Sequence, residues 1–223
     1  MKKQIYLISG RKDESYEEFK TRILEKARET SVEIAGGSIR VSLTQEPPPF
    51  ISVIPFKKKK IAAFSVIRED ESPLGLLKNA EGYAGMYTVE EAIPVSYRKS
   101  WKDGEITPGA CLLTLFRKKP GIDRNTFLDR WHHGHTPLSL RIHPLWHYNR
   151  NVVTEATEGP ATPWDGIVEE HFRTRGDLLN PFLFFGSPLV ILPHMMEVYR
   201  DTCSFLDYKS IEPYLVREYR IRS

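Results

Sequence analysis

The sequence predicts an α+β protein in which one β-α-β-β-α-β unit follows another. Two observations predict it. The strand and helix patterns of the first half recur in the same order in the second half, at an offset of 108 residues that places Phe19 on Phe127 and Ile23 on Trp131. The chain length of 223 residues also suits two units of about 100 residues each.

The first half contains each element of such a unit. The apolar run over residues 5–8 predicts a buried strand. Ser15 and Glu18 have the spacing of a capping box that begins a helix. The helix has an apolar stripe of Phe19, Ile23, Leu24 and Ala27. The remaining signals predict strands over 39–44, 61–67 and 86–89 and a short helix over 74–77.

The second half repeats this order. A strand over 113–116 is followed by a Lys-Lys-Pro-Gly loop and by Asp123, which is placed to cap a helix containing Phe127 and Trp131. The later segments predict strands over 148–154, 166–172 and 214–221, and a helix over 177–185. An insertion over 180–196 with three prolines is expected to shape the mouth of any pocket.

This order of elements is that of the ferredoxin-like unit, an antiparallel sheet with helices on one face. Two such sheets can bury their uncovered faces against each other, which predicts a pseudo-dimeric α/β barrel. Turn residues over 102–109 place the boundary near Glu105, so we expect units over 1–105 and 106–223.

Composition excludes some classes of function. The net charge is only +3, and the chain has no concentrated basic segment apart from Lys57 to Lys60. That segment is most simply a solvated loop, so we expect no nucleic-acid partner. No apolar run approaches the ~20 residues of a membrane span, and the N-terminal apolar segment is short for a secretory signal. With only Cys111 and Cys203, a disulfide framework is not expected. We therefore expect a cytoplasmic protein without a membrane partner.

All seven histidines lie in the second half, and five of them fall between His132 and His147. Histidine carries protons or binds metals near neutral pH. His132 and His135 are three residues apart and His143 and His147 are four apart, so each pair could share a helical face. Glycine and proline interrupt both segments, however, and no metal-binding motif is present, so we predict no metal site. Placement on the surface or near a helix C-terminus is the simplest interpretation of His132, His133 and His143.

His135 is the stronger candidate for chemistry, because a histidine at the expected helix end before Pro137 can point towards the sheet. Its partner could be a tyrosine or a carboxylate on a facing strand, and residues 164–172 offer Asp165 and either Glu169 or Glu170 as that carboxylate. Alternate residues of a strand share a face, so Glu169 and Glu170 point in opposite directions. The apolar neighbours favour Glu170 as the inward carboxylate, but both assignments stay open. Both glutamates could also lie in solvent at the end of the strand.

The second half resembles the EthD family of the dimeric α/β-barrel superfamily, over roughly residues 110 to 221. The resemblance lies in the ordered set Leu115-Phe116-Arg117-Lys118-Lys119-Pro120-Gly121-Ile122-Asp123, Phe127, Trp131, His135-Thr136-Pro137, Tyr148, Asn149, Asp165-Gly166, Glu169-Glu170, Phe172 and the segment from Asp201 to Asp207. It implies a tandem pseudo-dimer with a pocket between the sheet and its helices.

The resemblance also implies a class of function. The EthD family is associated with degradation of organic compounds and is loosely classed with oxidoreductases. Related barrels include cofactor-free monooxygenases, cyclases, decarboxylases and dehydratases, and others that only bind small molecules. We therefore expect an oxidoreductase without a tightly bound cofactor that acts on a hydrophobic, aromatic or oxygenated compound. A lyase or isomerase, a non-enzymatic binder and a haem protein are the alternatives, and assembly into a homo-oligomer stays open.

The expected site has three catalytic residues. His135 would act as the general acid/base, Tyr148 would donate a hydrogen bond to a substrate oxygen, and Glu170 would orient the histidine. Substrate contacts are expected from the pocket wall and its neighbours, namely Trp131, Trp146, Asn149 and Asp165. Core packing is the simpler explanation for most of the aromatic residues of this half.

Overall fold

The computed structural model describes residues 2–34, 36–70, 72–157 and 161–223. Among these residues, the strands are β1 (Lys2–Ser9), β2 (Ser38–Leu43), β3 (Ile61–Arg68), β4 (Tyr83–Val95), β5 (Ala110–Phe116), β6 (Leu145–Ala156), β7 (Gly166–Phe172) and β8 (Glu212–Arg222). The helices are α1 (Tyr16–Glu33), α2 (Gly75–Lys78), α3 (Arg124–Asp129), α4 (Thr136–Ile142), α5 (Arg175–Leu179), α6 (Pro181–Phe184) and α7 (Ile191–Phe205), with a π-helical segment (Arg130–His135) between α3 and α4.

The strands form one closed antiparallel barrel in the order β1-β3-β2-β8-β5-β7-β6-β4. The first half of the chain contributes four adjacent strands and the second half the other four. The halves join where β2 pairs with β8 and where β4 pairs with β6. The predicted α+β class and the antiparallel barrel are therefore confirmed.

Alternation along the strands creates a barrel interior and an outer face. The interior is partly apolar, with Ile5, Leu113 and Ile167 in one cluster. Elsewhere it is polar: the Lys3 ammonium donates to Glu91 Oε1 at 2.8 Å and to Asn151 Oδ1 at 2.7 Å. Burial lowers the pKa of Lys3 to about 8, although nearby carboxylates oppose that shift. The outer faces of both halves are covered by helices.

Helix α1 is a single segment of 18 residues, and its capping box between Ser15 and Glu18 is formed as predicted. It packs Phe19, Ile23 and Ala27 against the first-half sheet without exposure to solvent. The first helix layer is therefore a continuous apolar core.

The corresponding helix of the second half is interrupted. We predicted that it ends before Pro137, but it continues through a π-helical turn in which the Thr136 N–H donates to the Trp131 carbonyl, five residues back. Pro137 then lies in the first turn of α4. The predicted helix over 177–185 is also different: it is divided into α5 and α6, because Pro181 begins a new helix.

Helix α7 was not predicted from the sequence. It occupies the end of the insertion and the segment up to Phe205, and it packs next to the π-helical segment and α4. No helix among the described residues is long and apolar enough to cross a bilayer.

Candidate functional site

A cavity of about 300 Å³ lies between the outer face of the second-half sheet and the helices that cover it. Most of its lining is apolar. The ionisable or hydroxyl-bearing side chains that face it include Glu170 and Tyr148 from the sheet and His135, Ser139 and His143 from the helical side. A mostly apolar cavity with a few polar groups is typical of a small-molecule site.

Glu170 lines this cavity, whereas Glu169 points into the barrel and accepts a hydrogen bond from Ser42 Oγ at 2.7 Å. Among the described residues, the Glu170 carboxylate has no hydrogen-bond or ion-pair partner. Burial raises the pKa of Glu170 to about 7. A carboxyl group in this environment exchanges its proton near neutral pH.

Tyr148 is the ladder neighbour of Glu170, and both side chains face the cavity. The Trp131 indole N–H donates to the Tyr148 hydroxyl at 3.4 Å, which is a long hydrogen bond. Burial, and secondly the Glu170 charge, raise the pKa of Tyr148, so the phenol keeps its proton. Trp131 packs edge-on against Phe116 and forms part of the cavity wall.

His135 lies at the end of the π-helical segment and is held by two partners. Its Nδ1 is 2.6 Å from Asp201 Oδ2, and its Nε2 is 3.0 Å from Ser139 Oγ. An ionised carboxylate only accepts, so Nδ1 carries a proton. The carboxylate in contact with the His135 ring is therefore that of Asp201, which lies on helix α7, and not that of Glu170, for which we expected this contact.

His143 also differs from expectation. Rather than lying on the surface, it is buried at the cavity, where its ring stacks on Phe184 with 4.1 Å between centroids. Its Nδ1 donates to the Phe184 carbonyl at 2.9 Å. Burial lowers the pKa of His143 to about 4, so the ring is neutral at pH 7. His133, in contrast, is an exposed partner of Asp129.

Three residues expected to bind substrate lie away from the cavity lining. Asn149 follows Tyr148 on the strand, so it points into the barrel and donates to Glu91 at 2.6 Å. Trp146 lies within a register shift of β6, between Leu145 and His147, and packs against Tyr97. The carboxylate of Asp165 accepts from the Lys118 N–H at 2.8 Å and fixes the β5 loop. The three placements depend on which face of β6 a residue occupies and on how the loop after β5 is held. The spacing of motifs in the sequence reveals neither.

Sequence reasoning missed the contributions of α7 and of the loop between β2 and β3. Asp201 lies three residues after Val198 and four before Phe205, both of which line the cavity. An acidic residue on an apolar helical stripe was therefore the available signal. In contrast, Ile54 and its neighbours close the cavity from the other half of the chain, which no local pattern indicates.

The contacts of the site bear on metal and haem binding. Within the described ranges, no group of three or more His, Cys, Asp or Glu side chains is arranged to hold a metal ion. Both ring nitrogens of His135 are hydrogen-bonded, so it does not offer a free nitrogen for haem. A haem site on this histidine does not fit the observed contacts.

Comparisons with known proteins bear on the fold. A solved structure of an anthrone oxidase-like protein superposes with a TM-score of 0.61 and 10% identity, over 99% of this chain and 91% of that chain. A protein from Fusobacterium nucleatum, provisionally described as a monooxygenase, has 9% identity and a TM-score of 0.49 over 99% and 92% of the two chains. No family model and no curated protein sequence matches the chain. The likeness to the first of these structures concerns the fold alone, and the EthD resemblance stays a prediction.

Proposed function

We propose that the cavity is the active site of a small-molecule enzyme in which Glu170 is the general acid/base. The observation that carries this proposal is a carboxyl group without a hydrogen-bond partner among the described residues, in a mostly apolar cavity, with its pKa raised to about 7. A group with a pKa near the working pH is present in both protonation states and transfers protons effectively. A purely structural carboxylate would be expected to have a charged or hydrogen-bonding partner.

The other cavity residues support this role. Tyr148 keeps its proton and neighbours Glu170, so its hydroxyl can donate to a substrate oxygen. His135 lies on the helical wall with its orientation fixed by Asp201, and it is the second proton carrier. In this assignment Glu170 replaces His135 as the general acid/base, because His135 already has two partners and Glu170 has none among the described residues.

The proposed substrate is a hydrophobic aromatic compound that carries oxygen and an acidic C–H or O–H group. Removal of that proton leaves an electron-rich anion, and an oxidation would then use dioxygen as the electron acceptor. The EthD resemblance and the fold shared with an anthrone oxidase-like protein support oxidation as the first class. A lyase or isomerase would need the same proton transfer, so it is the second class. No tightly bound cofactor is part of this proposal, and an absorbance spectrum of the purified protein tests that.

The experiment separates proton transfer from oxidation. Anthrone, a tricyclic ketone with an acidic methylene group, is the probe. Deuterium exchange at that methylene is followed by NMR under nitrogen, and dioxygen uptake is followed separately in air. Glu170→Gln is expected to slow the enzyme-dependent exchange by about 10²- to 10⁴-fold, while the exposed control Glu25→Gln leaves it unchanged.

Equal exchange rates for the wild type and Glu170→Gln would remove Glu170 from the mechanism. Exchange without dioxygen uptake would favour the lyase or isomerase class. If the wild type binds the probe, as shown by tryptophan quenching, but neither exchanges it nor consumes dioxygen, the non-enzymatic binder is the better description for this compound.

We also infer that the halves are tandem ferredoxin-like units, over 1–105 and 106–223. The strand orders β4-β1-β3-β2 and β8-β5-β7-β6 support this, because they are the same order when each half is numbered from its own first strand. Each half also follows its first and third strands with helical segments.

A further inference from the structure

The loop between β2 and β3 carries two large apolar side chains in solvent. Phe50 is 94% exposed and Ile51 is 87% exposed. They follow three consecutive prolines, Pro47 to Pro49, which stiffen the segment that leads to them. Exposed apolar residues at the tip of a stiff loop indicate a contact surface rather than a part of the core.

The same loop continues into three exposed lysines, Lys57, Lys58 and Lys59. Among the residues that the structure describes, none of their ammonium groups has an ion-pair or hydrogen-bond partner. The next lysine, Lys60, is different because its ammonium donates to the Glu14 carbonyl. The three preceding charges are therefore available to an external anionic surface.

The loop also connects this surface to the cavity. Between the apolar tip and the lysines, Val53, Ile54 and Pro55 line the cavity of the second half. The Lys57 N–H donates to the Pro213 carbonyl at 2.8 Å, which fixes the end of the loop against β8. A partner that contacts the tip would therefore lie beside the cavity wall.

We propose that this loop docks the protein onto the surface of a bilayer that contains anionic lipids. Phe50 and Ile51 enter the boundary between headgroups and acyl chains, and the three lysines contact the headgroup phosphates. Apolar side chains in the same loop as basic residues that have no described partner complement such a surface in both hydrophobicity and charge. The proposal revises the expectation of no membrane partner, since this contact is peripheral and spans nothing. It is independent of the proposed function.

The first test is vesicle sedimentation with the full chain. We expect binding to vesicles of 70% phosphatidylcholine and 30% phosphatidylserine, weak binding to pure phosphatidylcholine, and release as salt is raised. Replacing all three lysines by glutamine is expected to lower the partition coefficient about a hundredfold, since each contributes about fivefold. The double variant Phe50→Ser with Ile51→Ser is expected to lower it about tenfold or more.

Leu189→Ser is the matched control, because Leu189 is 90% exposed in a segment that has no lysine nearby. This variant is expected to bind vesicles as the wild type does. Thermal unfolding checks that all variants fold, which surface positions of this kind should allow.

A second measurement places the tip in the bilayer. In Phe50→Trp, lipids brominated on the acyl chains are expected to quench the added fluorescence, whereas Leu189→Trp shows no added quenching. Absence of binding to anionic vesicles would overturn the proposal. Equal losses in Leu189→Ser and the loop double variant would also overturn it, as would salt-dependent self-association through the loop without vesicle binding.

Discussion

The two helix layers of this barrel cover topologically matching sheets, yet one is a packed core and the other encloses a cavity. In the first half, the uninterrupted α1 helix buries its apolar stripe completely. In the second half, the helix is interrupted by the π-helical segment that ends at His135, and the layer encloses about 300 Å³. π-helical turns often occur at functional sites because they change the register of the side chains that follow.

The ladder register allows the positions to be compared one by one. The pair Tyr6 and Phe64 in the first sheet corresponds to Thr114 and Val168 in the second. Two aromatic rings that fill the first layer are thus replaced by two small side chains that line the cavity. The cavity exists largely because the second layer lacks the volume of these two aromatic rings.

The chemistry follows the same correspondence. Val66 occupies the position of Glu170, Ile39 that of Tyr148, and Ala27 that of His135. Each polar group of the proposed site thus stands where the first half has an apolar core residue. The comparison teaches that a few substitutions at equivalent positions separate a pocket from a core on one backbone plan.

The largest expected effect comes from moving the carboxyl group into the packed layer. Val66→Glu is expected to lower the free energy of unfolding by about 4 kcal/mol or more at pH 8, because no cavity receives the charge. The opposite exchange, Glu170→Val, should stabilise the protein or leave it unchanged at that pH. Urea denaturation measures both. A cost below about 1 kcal/mol for Val66→Glu would mean that the first layer also accommodates a polar group.

The second effect is a pH dependence that only the second layer should show. The Glu170 pKa is raised from 4.5 to about 7, so the folded protein retains a proton that the unfolded chain releases. Stability from this group is therefore lost as pH rises from about 4.5 to about 7, by about 3 kcal/mol. Glu170→Gln should remove this loss, so its free energy of unfolding should exceed that of the wild type above pH 7. The exposed control Glu25→Gln should follow the wild-type pH dependence. Urea denaturation at a series of pH values measures both.

The comparison also shows which features a single sequence reveals. The order of the strands and the antiparallel barrel follow from periodicity and resemblance, because alternation assigns faces once strands are located. His135, Tyr148, Glu170 and Trp131 line the cavity, and the roles predicted for them stay predictions. The π-helical turn could not be predicted, because its hydrogen bonds depend on packing rather than on local preference. Contacts between distant segments, such as the His135–Asp201 pair, likewise require the folded arrangement.

The third prediction tests that pair. A double-mutant cycle with His135→Ala and Asp201→Ala is expected to give a coupling energy of about 1 to 2 kcal/mol, because a carboxylate and an imidazole share a short hydrogen bond. The parallel cycle of His135→Ala with Glu170→Gln is expected to give less than about 0.5 kcal/mol. The reverse order of the two couplings in denaturant unfolding would reinstate Glu170 as the orienting residue.

The smallest expected difference concerns two buried tyrosines, one in each layer. The Tyr6 hydroxyl donates to Gln4 Oε1 at 2.8 Å and accepts from the Leu74 N–H at 2.9 Å, so Tyr6→Phe should cost about 1 to 2 kcal/mol. The hydrogen bond that the Tyr148 hydroxyl accepts from Trp131 is long, at 3.4 Å, so Tyr148→Phe should cost about 0.5 kcal/mol.

Activity should rank these two tyrosine variants in the opposite order. Tyr148→Phe is expected to slow the proposed proton transfer about tenfold or more, because it removes a donor for the substrate oxygen, and Tyr6→Phe should leave the rate unchanged at temperatures where both variants are folded. Chemical unfolding and deuterium exchange of the same two proteins provide the measurement. If Tyr148→Phe costs as much stability as Tyr6→Phe and does not change the exchange rate, Tyr148 is a core residue like those of the first layer. The functional contrast between the two layers would then rest on Glu170 and His135 alone.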